Sequence, residues 1–111
     1  MKAYVPKKGD FVAVTFDPQS GHEQKGRRPA LVVSNTLFNE KTGLAIVCPL
    51  TTTDRGYPFH VAVKDNPHIT GFVMVEQVKS IDYRARQTKL IAKASNDILD
   101  IVLSILDACI Y

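Results

Sequence analysis

For most of its length the chain alternates between short apolar runs and clusters of turn residues. Phe11-Val12-Ala13-Val14-Thr15-Phe16 follows Gly9-Asp10 and stops at Asp17-Pro18. A short run rich in β-branched and aromatic residues predicts a buried strand. Ala30-Leu31-Val32-Val33-Ser34 predicts a second strand, and Leu44-Ala45-Ile46-Val47-Cys48, entered through Lys41-Thr42-Gly43, a third. Phe59 to Lys64 alternates, which predicts a strand with Phe59, Val61 and Val63 on one face. Phe72-Val73-Met74-Val75 predicts a fifth strand and Val78-Lys79-Ser80-Ile81 a sixth. Gly26, Pro29, Gly43, Gly56, Pro58, Pro67 and Gly71 supply the punctuation between them. The period then changes. Ser95 is an N-cap candidate and Asp97 suits a first helical turn. Ile98, Ile101, Val102, Ile105, Leu106 and Cys109 follow at helical spacing, so the tail predicts an amphipathic helix. Asn35 to Asn39 reads as a short helix or a loop. Strands this short, without long helices between them, argue against a doubly wound sheet. They predict a mainly β fold: a small barrel of bent, mostly antiparallel strands closed by a C-terminal helix.

With 111 residues the chain reads as a single domain, 1–111. Its 45% hydrophobic and 23% charged residues argue against disorder. No apolar run approaches the roughly 18 residues of a membrane span. Met1 to Lys8 lacks the apolar segment of a cleaved signal peptide. Cys48 and Cys109 are too few for a disulfide framework or a four-cysteine zinc site. Both lie among apolar residues and read as small core hydrophobes of a cytoplasmic protein. The net charge is +3, but residues 95–111 hold three aspartates and no Lys or Arg. The remaining chain carries 14 basic and 8 acidic residues, a net of +6, which suits a polyanion or an acidic protein segment.

No phosphate-cradling glycine loop and no GxSxG elbow is present. His22, His60 and His68 show neither HExxH nor i,i+4 spacing, and the carboxylates are scattered. The expected chemistry therefore uses no metal and no cofactor. Three segments are candidates for carrying it. Gly21 to Pro29 packs His22, Glu23, Lys25, Arg27 and Arg28 between two apolar strands. His22 and Glu23 are suited to general acid or base work, and Arg27 and Arg28 to bidentate phosphate binding. Arg28 precedes a proline, which biases it toward extended geometry at the start of the next strand. Thr51, Thr52 and Thr53 place hydroxyls at a strand end, where they can donate to a phosphate oxygen. Glu76 to Arg86 gathers Lys79, Arg84 and Arg86; Arg84 and Arg86 share a face where the chain is extended, with Tyr83 beside them to stack a base. The bland readings are a solvated charged loop, ordinary strand threonines, and an edge strand guarded by positive charge. His60 falls opposite Phe59 in the alternation and is expected to face solvent or a groove; His68, in an Asn66-Pro67-His68 turn, has no expected role.

Taken in order, "GDFVAVTFDPQSGHEQKGRRPALVVS", "CPLTTTDRGYPFHV" and "EQVKSIDYRAR" resemble the MazF/PemK family of toxin endoribonucleases. The resemblance spans roughly residues 4–93, with the predicted helix where the family has its last one. It implies an SH3-like barrel acting as a homodimer. It implies metal-independent, sequence-specific cleavage of single-stranded messenger RNA, which halts translation and growth. The physical route that needs no metal is attack by the RNA 2′-hydroxyl on its own phosphorus, leaving a 2′,3′-cyclic phosphate and a 5′-hydroxyl. The resemblance also implies a cognate antitoxin whose acidic, disordered tail fills the RNA groove. Residue by residue, it assigns Arg28 and Thr51 as catalytic and Glu23 as the loop glutamate; His22, an imidazole suited to proton transfer near neutral pH, is the reserve base. Lys79, Arg84 and Arg86 match the basic groove. Gln77, Tyr83, His60, Lys25 and Arg27 complete the candidate RNA-contacting set. Two other readings compete: a barrel that grips RNA or a protein without cutting, and a toxin of the same fold aimed at DNA gyrase.

Overall fold

The structure, a computed structural model, describes residues 3–16 and 26–111. β1 (Asp10–Thr15), β2 (Arg27–Val32) and β3 (Leu44–Thr51) form its middle, joined in antiparallel register. Their apolar runs are continuous because both faces are covered. Phe11, Leu31, Cys48 and Leu50 point into one core, with Val61, Val73, Val75, Ile98 and Val102. The alternate residues Val12, Val14, Ala30, Val32, Ala45 and Val47 point into a second, with Ile81 and Tyr83.

β3 is the longest strand, and its outer edge is divided between two partners. Leu44 to Val47 pairs with β6 (Lys79–Asp82), while Leu50 and Thr51 pair with β5 (Gly71–Met74). Pro49, which has no N–H to give a ladder, lies between the two halves. β4 (His60–Val63) pairs outside β5, and β7 (Lys89–Lys93) pairs with β1. All these pairings are antiparallel, and the sheet bends around the second core as a partly closed barrel. The mainly β barrel expected from the strand pattern is thus present, as is the helix. α2 (Asn96–Ile110) starts at Ser95, whose Oγ accepts from Ile98 N at 3.2 Å, and buries Ile98 and Val102 against the first core. No helix among the described residues is long and apolar enough to cross a membrane.

Several details depart from the sequence pattern. β7 was not expected: its apolar residues are few, and Leu90 and Ile91 remain largely exposed on an edge. The 35–39 segment belongs to a helix, α1 (Thr36–Thr42), ended by Gly43 at φ 73°, a left-handed cap that glycine adopts without strain. Cys48 is buried as expected, but Cys109 is exposed, because the last turns of α2 run past the core. Phe59 does not join Val61 and Val63 in the interior. It lies just before β4, 43% exposed.

A buried polar cluster ties these parts together. Asn39 is fully buried; its amide donates to Pro6 O at 2.8 Å, and its carbonyl accepts from the Tyr83 hydroxyl at 3.0 Å. Ser34 Oγ donates to Asn39 Oδ1 and accepts from Ile46 N. The buried Asp10 accepts from the Tyr4 hydroxyl at 2.5 Å, from Lys7 N at 3.0 Å and from Lys93 Nζ at 3.2 Å. Satisfied networks of this kind fix one packing among alternatives.

Candidate active site

Register explains why two distant residues meet. Ala30 pairs with Pro49, so the same register carried two residues further sets Arg28 opposite Thr51. By alternation both continue the line of Ala30, Val32, Ala45 and Val47, the residues of the second core, beyond the end of that core. They emerge at the mouth of the barrel. There Arg28, Pro29, Leu50, Thr51, Thr52, Thr53, Arg55 and Thr70 line an open cleft of about 390 Å³.

The backbone at this mouth is tightly held. Thr51 pairs with Phe72 on β5, and the preceding Gly71 lies against the Thr51 carbonyl. A Cβ on Gly71 would stand 2.6 Å from that oxygen, and its φ of 127° is one that other residues rarely adopt. Thr51 Oγ1 accepts from Thr53 N at 3.2 Å, so its own proton is free to be donated into the cleft. Arg28 is exposed, and among the described residues nothing binds its guanidinium. The cleft thus offers two guanidinium groups and a row of hydroxyls, a donor-rich surface suited to a phosphodiester. Among the described residues no group of three or more His, Cys, Asp and Glu side chains is placed to hold a metal ion.

The other sequence candidates lie elsewhere. His22, Glu23 and Lys25 fall outside the described residues. None of Arg27, His60, Gln77, Lys79, Tyr83, Arg84 and Arg86 lines the cleft. Arg27 donates to Thr15 Oγ1 at 2.9 Å and to Gln87 O at 2.7 Å. Arg86 donates to the carbonyls of Thr15 and Phe16. These two arginines brace the end of β1. Lys79 is exposed and stands over the Phe16 ring, 5.2 Å from its centroid. Gln77 is exposed on the 3₁₀ turn Val75–Gln77, and Arg84 is exposed on the turn after β6. The chain turns at Tyr83 instead of continuing as a strand, so Arg84 and Arg86 do not share an extended face.

Two expectations are corrected. Tyr83 is not a stacking platform: it is 2% exposed and its hydroxyl is bound to Asn39 O. His60 does not face solvent or a groove. Its side chain is 3% exposed, its Nε2 pairs with Glu76 at 2.9 Å, and the Tyr57 ring lies 5.0 Å from its own. Burial opposes the Glu76 charge, but hydrogen bonds, that from His60 foremost, hold its carboxyl below the usual value. The Cys48 thiol, near Glu76 but mainly because it is buried, is pushed up to about 12 and is no nucleophile. Arg55 and Thr70 join the cleft without having been foreseen; a cation just after the threonine row was the available signal for Arg55.

The chain was compared with known proteins. Residues 7–110 match the family described as "PemK-like, MazF-like toxin of type II toxin-antitoxin system". Among curated relatives, the endoribonuclease toxin MazF of Escherichia coli K12 is 47% identical over 83 residues, covering 75% of this chain and 74% of the relative. Among solved structures, MazF from Deinococcus radiodurans superposes with a TM-score of 0.87 at 41% identity, covering 97% of this chain and 98% of that one. A MazE-MazF structure from the same organism superposes at 0.86 with 35% identity and covers 97% of each chain.

Proposed function

This chain belongs to the PemK-like, MazF-like toxin family of type II toxin-antitoxin systems, and from that premise we propose that it is the toxin of such a pair, a sequence-specific endoribonuclease that cuts single-stranded messenger RNA. The observation that carries this reading is the meeting of Arg28 and Thr51 at one cleft at the barrel mouth. In this reading the RNA 2′-hydroxyl attacks the adjacent phosphorus, the bond to the 5′-oxygen breaks as that oxygen takes a proton from Arg28 or from water, and a 2′,3′-cyclic phosphate and a 5′-hydroxyl result. Arg28 stabilises the charge gathering on the phosphoryl oxygens, a contribution on the order of 10²–10³ in rate. Thr51 donates a hydrogen bond from its hydroxyl to a phosphate oxygen. Glu23 takes the proton of the 2′-hydroxyl or orients Arg28, with His22 in reserve. Lys79 and Arg84 add positive charge for the RNA backbone.

The body's excess of basic residues suits an antitoxin with an acidic, disordered tail, the partner proposed here. The named relatives and the MazE-MazF structures support that pairing. The acting unit in this reading is a cytoplasmic homodimer of one domain, 1–111, whose two-fold pairing lengthens a short groove. The test is mass spectrometry of a mixed-sequence single-stranded RNA incubated with purified, antitoxin-free protein in EDTA. Discrete fragments ending in 2′,3′-cyclic phosphate are expected. Intact RNA, from protein that is folded by circular dichroism, would overturn the enzyme reading.

A further inference from the structure

We propose that a second cavity, between the N-terminal segment and the β6–β7 turn, is a nucleobase pocket that receives a base of the RNA strand flanking the scissile phosphate. The proposal deepens, and rests on, the endoribonuclease reading above. The cavity holds about 360 Å³ and is lined by Ala3, Tyr4, Tyr83, Arg84, Gln87 and Thr88. That lies within the roughly 300–1,000 Å³ of small-ligand sites.

Its wall has the composition that a flat, hydrogen-bonding ring requires. Tyr4 is half-buried, and its hydroxyl is fixed on Asp10. Burial, then Asp10, raises the Tyr4 pKa, so the phenol stays protonated and the ring stays in place. Arg84 is exposed, while its backbone N–H is anchored on Asp82 Oδ1 at 3.2 Å. A fixed aromatic ring and a guanidinium plane are the two surfaces on which unpaired bases stack. Thr88 Oγ1 is buried and meets no partner among the described residues, which is rare for a buried hydroxyl. Gln87 holds φ 52°, in the left-handed region. Strain of this kind gathers at ligand sites. An amide and a free hydroxyl are groups that read a base edge. A single side-chain cation beside the half-buried Tyr4 ring suits a base better than a phosphate.

The pocket is tied to the cleft through two consecutive residues. Arg27 holds the pocket wall by donating to Gln87 O, and Arg28 lines the cleft. In the proposal the RNA passes the N-terminal end of β2, from the Arg28 side to the Arg27 side.

Two variants test this without threatening the fold. Gln87→Gly removes the amide and relieves the left-handed backbone; Thr88→Val removes the hydroxyl at nearly constant volume. Cleavage sites in a randomised single-stranded RNA pool are sequenced for the wild type and both variants. The expected result is loss of base preference at one flanking position, by about fivefold or more, with the preferences elsewhere retained. Identical preference profiles overturn the proposal. A binding arm separates its failure from that of the function reading. Short homopolymeric RNAs, and a base-free ribose-phosphate strand, are titrated into isotopically labelled protein while the amides of residues 84–88 are followed by NMR. Shifts that need a base, with the mixed RNA left uncut, keep the pocket and refute the nuclease. Cleavage without such shifts refutes the pocket. Equal shifts with the base-free strand mark a phosphate site and also refute it.

Discussion

Arg27 is half-buried and donates to Thr15 Oγ1 and Gln87 O, whereas Arg28, the next residue, is exposed and lines the cleft. The two differ only in which side of an extended strand they leave. On one side β1 and the β6–β7 turn supply acceptors that consume a guanidinium. On the other, the end of β3 supplies hydroxyls and a second cation, with no described acceptor to bind it. The comparison separates two uses of positive charge in one nonapeptide-sized segment: one braces the barrel, the other waits for an anion.

The sharpest way to break that comparison is to delete each side chain in turn. Arg28→Ala is expected to lower RNA cleavage by about 10²–10³-fold with the urea midpoint unmoved. Arg27→Ala is expected to do the reverse, losing about 1–3 kcal/mol of stability in urea with a smaller fall in cleavage. Equal loss of activity in the two variants would erase the distinction. Next in size is Gly71→Ala. A methyl 2.6 Å from Thr51 O must displace the end of β3, so both stability, by about 1–3 kcal/mol, and cleavage should fall together. A variant that keeps full activity would show that the Thr51 backbone is not held as described.

The smallest effect concerns acid. The Glu76 carboxyl is held below its ordinary value of 4.5, so the unfolded chain binds its proton more readily than the folded one. The stability due to the His60–Glu76 pair is present above pH 4.5 and declines as pH falls through the lowered folded value. Thermal melts of wild type and Glu76→Gln between pH 7 and 3 should converge at the acid end. Parallel curves would mean that the pair adds nothing to stability.

The parts that were legible in the sequence are those where one strand decides its own environment. Continuous apolar runs gave β1, β2 and β3, since both faces of each are buried. The 3.6-residue period gave α2. Arg28 and Thr51 were recognisable from motif order, and their meeting follows from register. What was not legible depends on distant partners. The alternation places His60 correctly on β4, but its burial is decided by Glu76, sixteen residues on. Tyr83 looks like a base-stacking ring until Asn39, forty-four residues earlier, takes its hydroxyl. β7 escaped because lysines flank it and its apolar side chains stay exposed on an edge. Thr70 lines the cleft only because β5 returns antiparallel to β3.

The divided edge of β3 also bears on the order of events during synthesis. The cleft needs β2, β3 and the residue before β5, and β1 gains its second neighbour only when β7 has been made. The pairings of β1 with β7 and of β3 with β6 join residues far apart along the chain, and such pairings form late. A growing chain that has released Arg28 and Thr51 still lacks the strands that hold them in place. The barrel's connectivity thus sets a sequence of assembly: the strand that carries Arg28 lies against β1, whose other edge stays open until almost the whole polypeptide has been made.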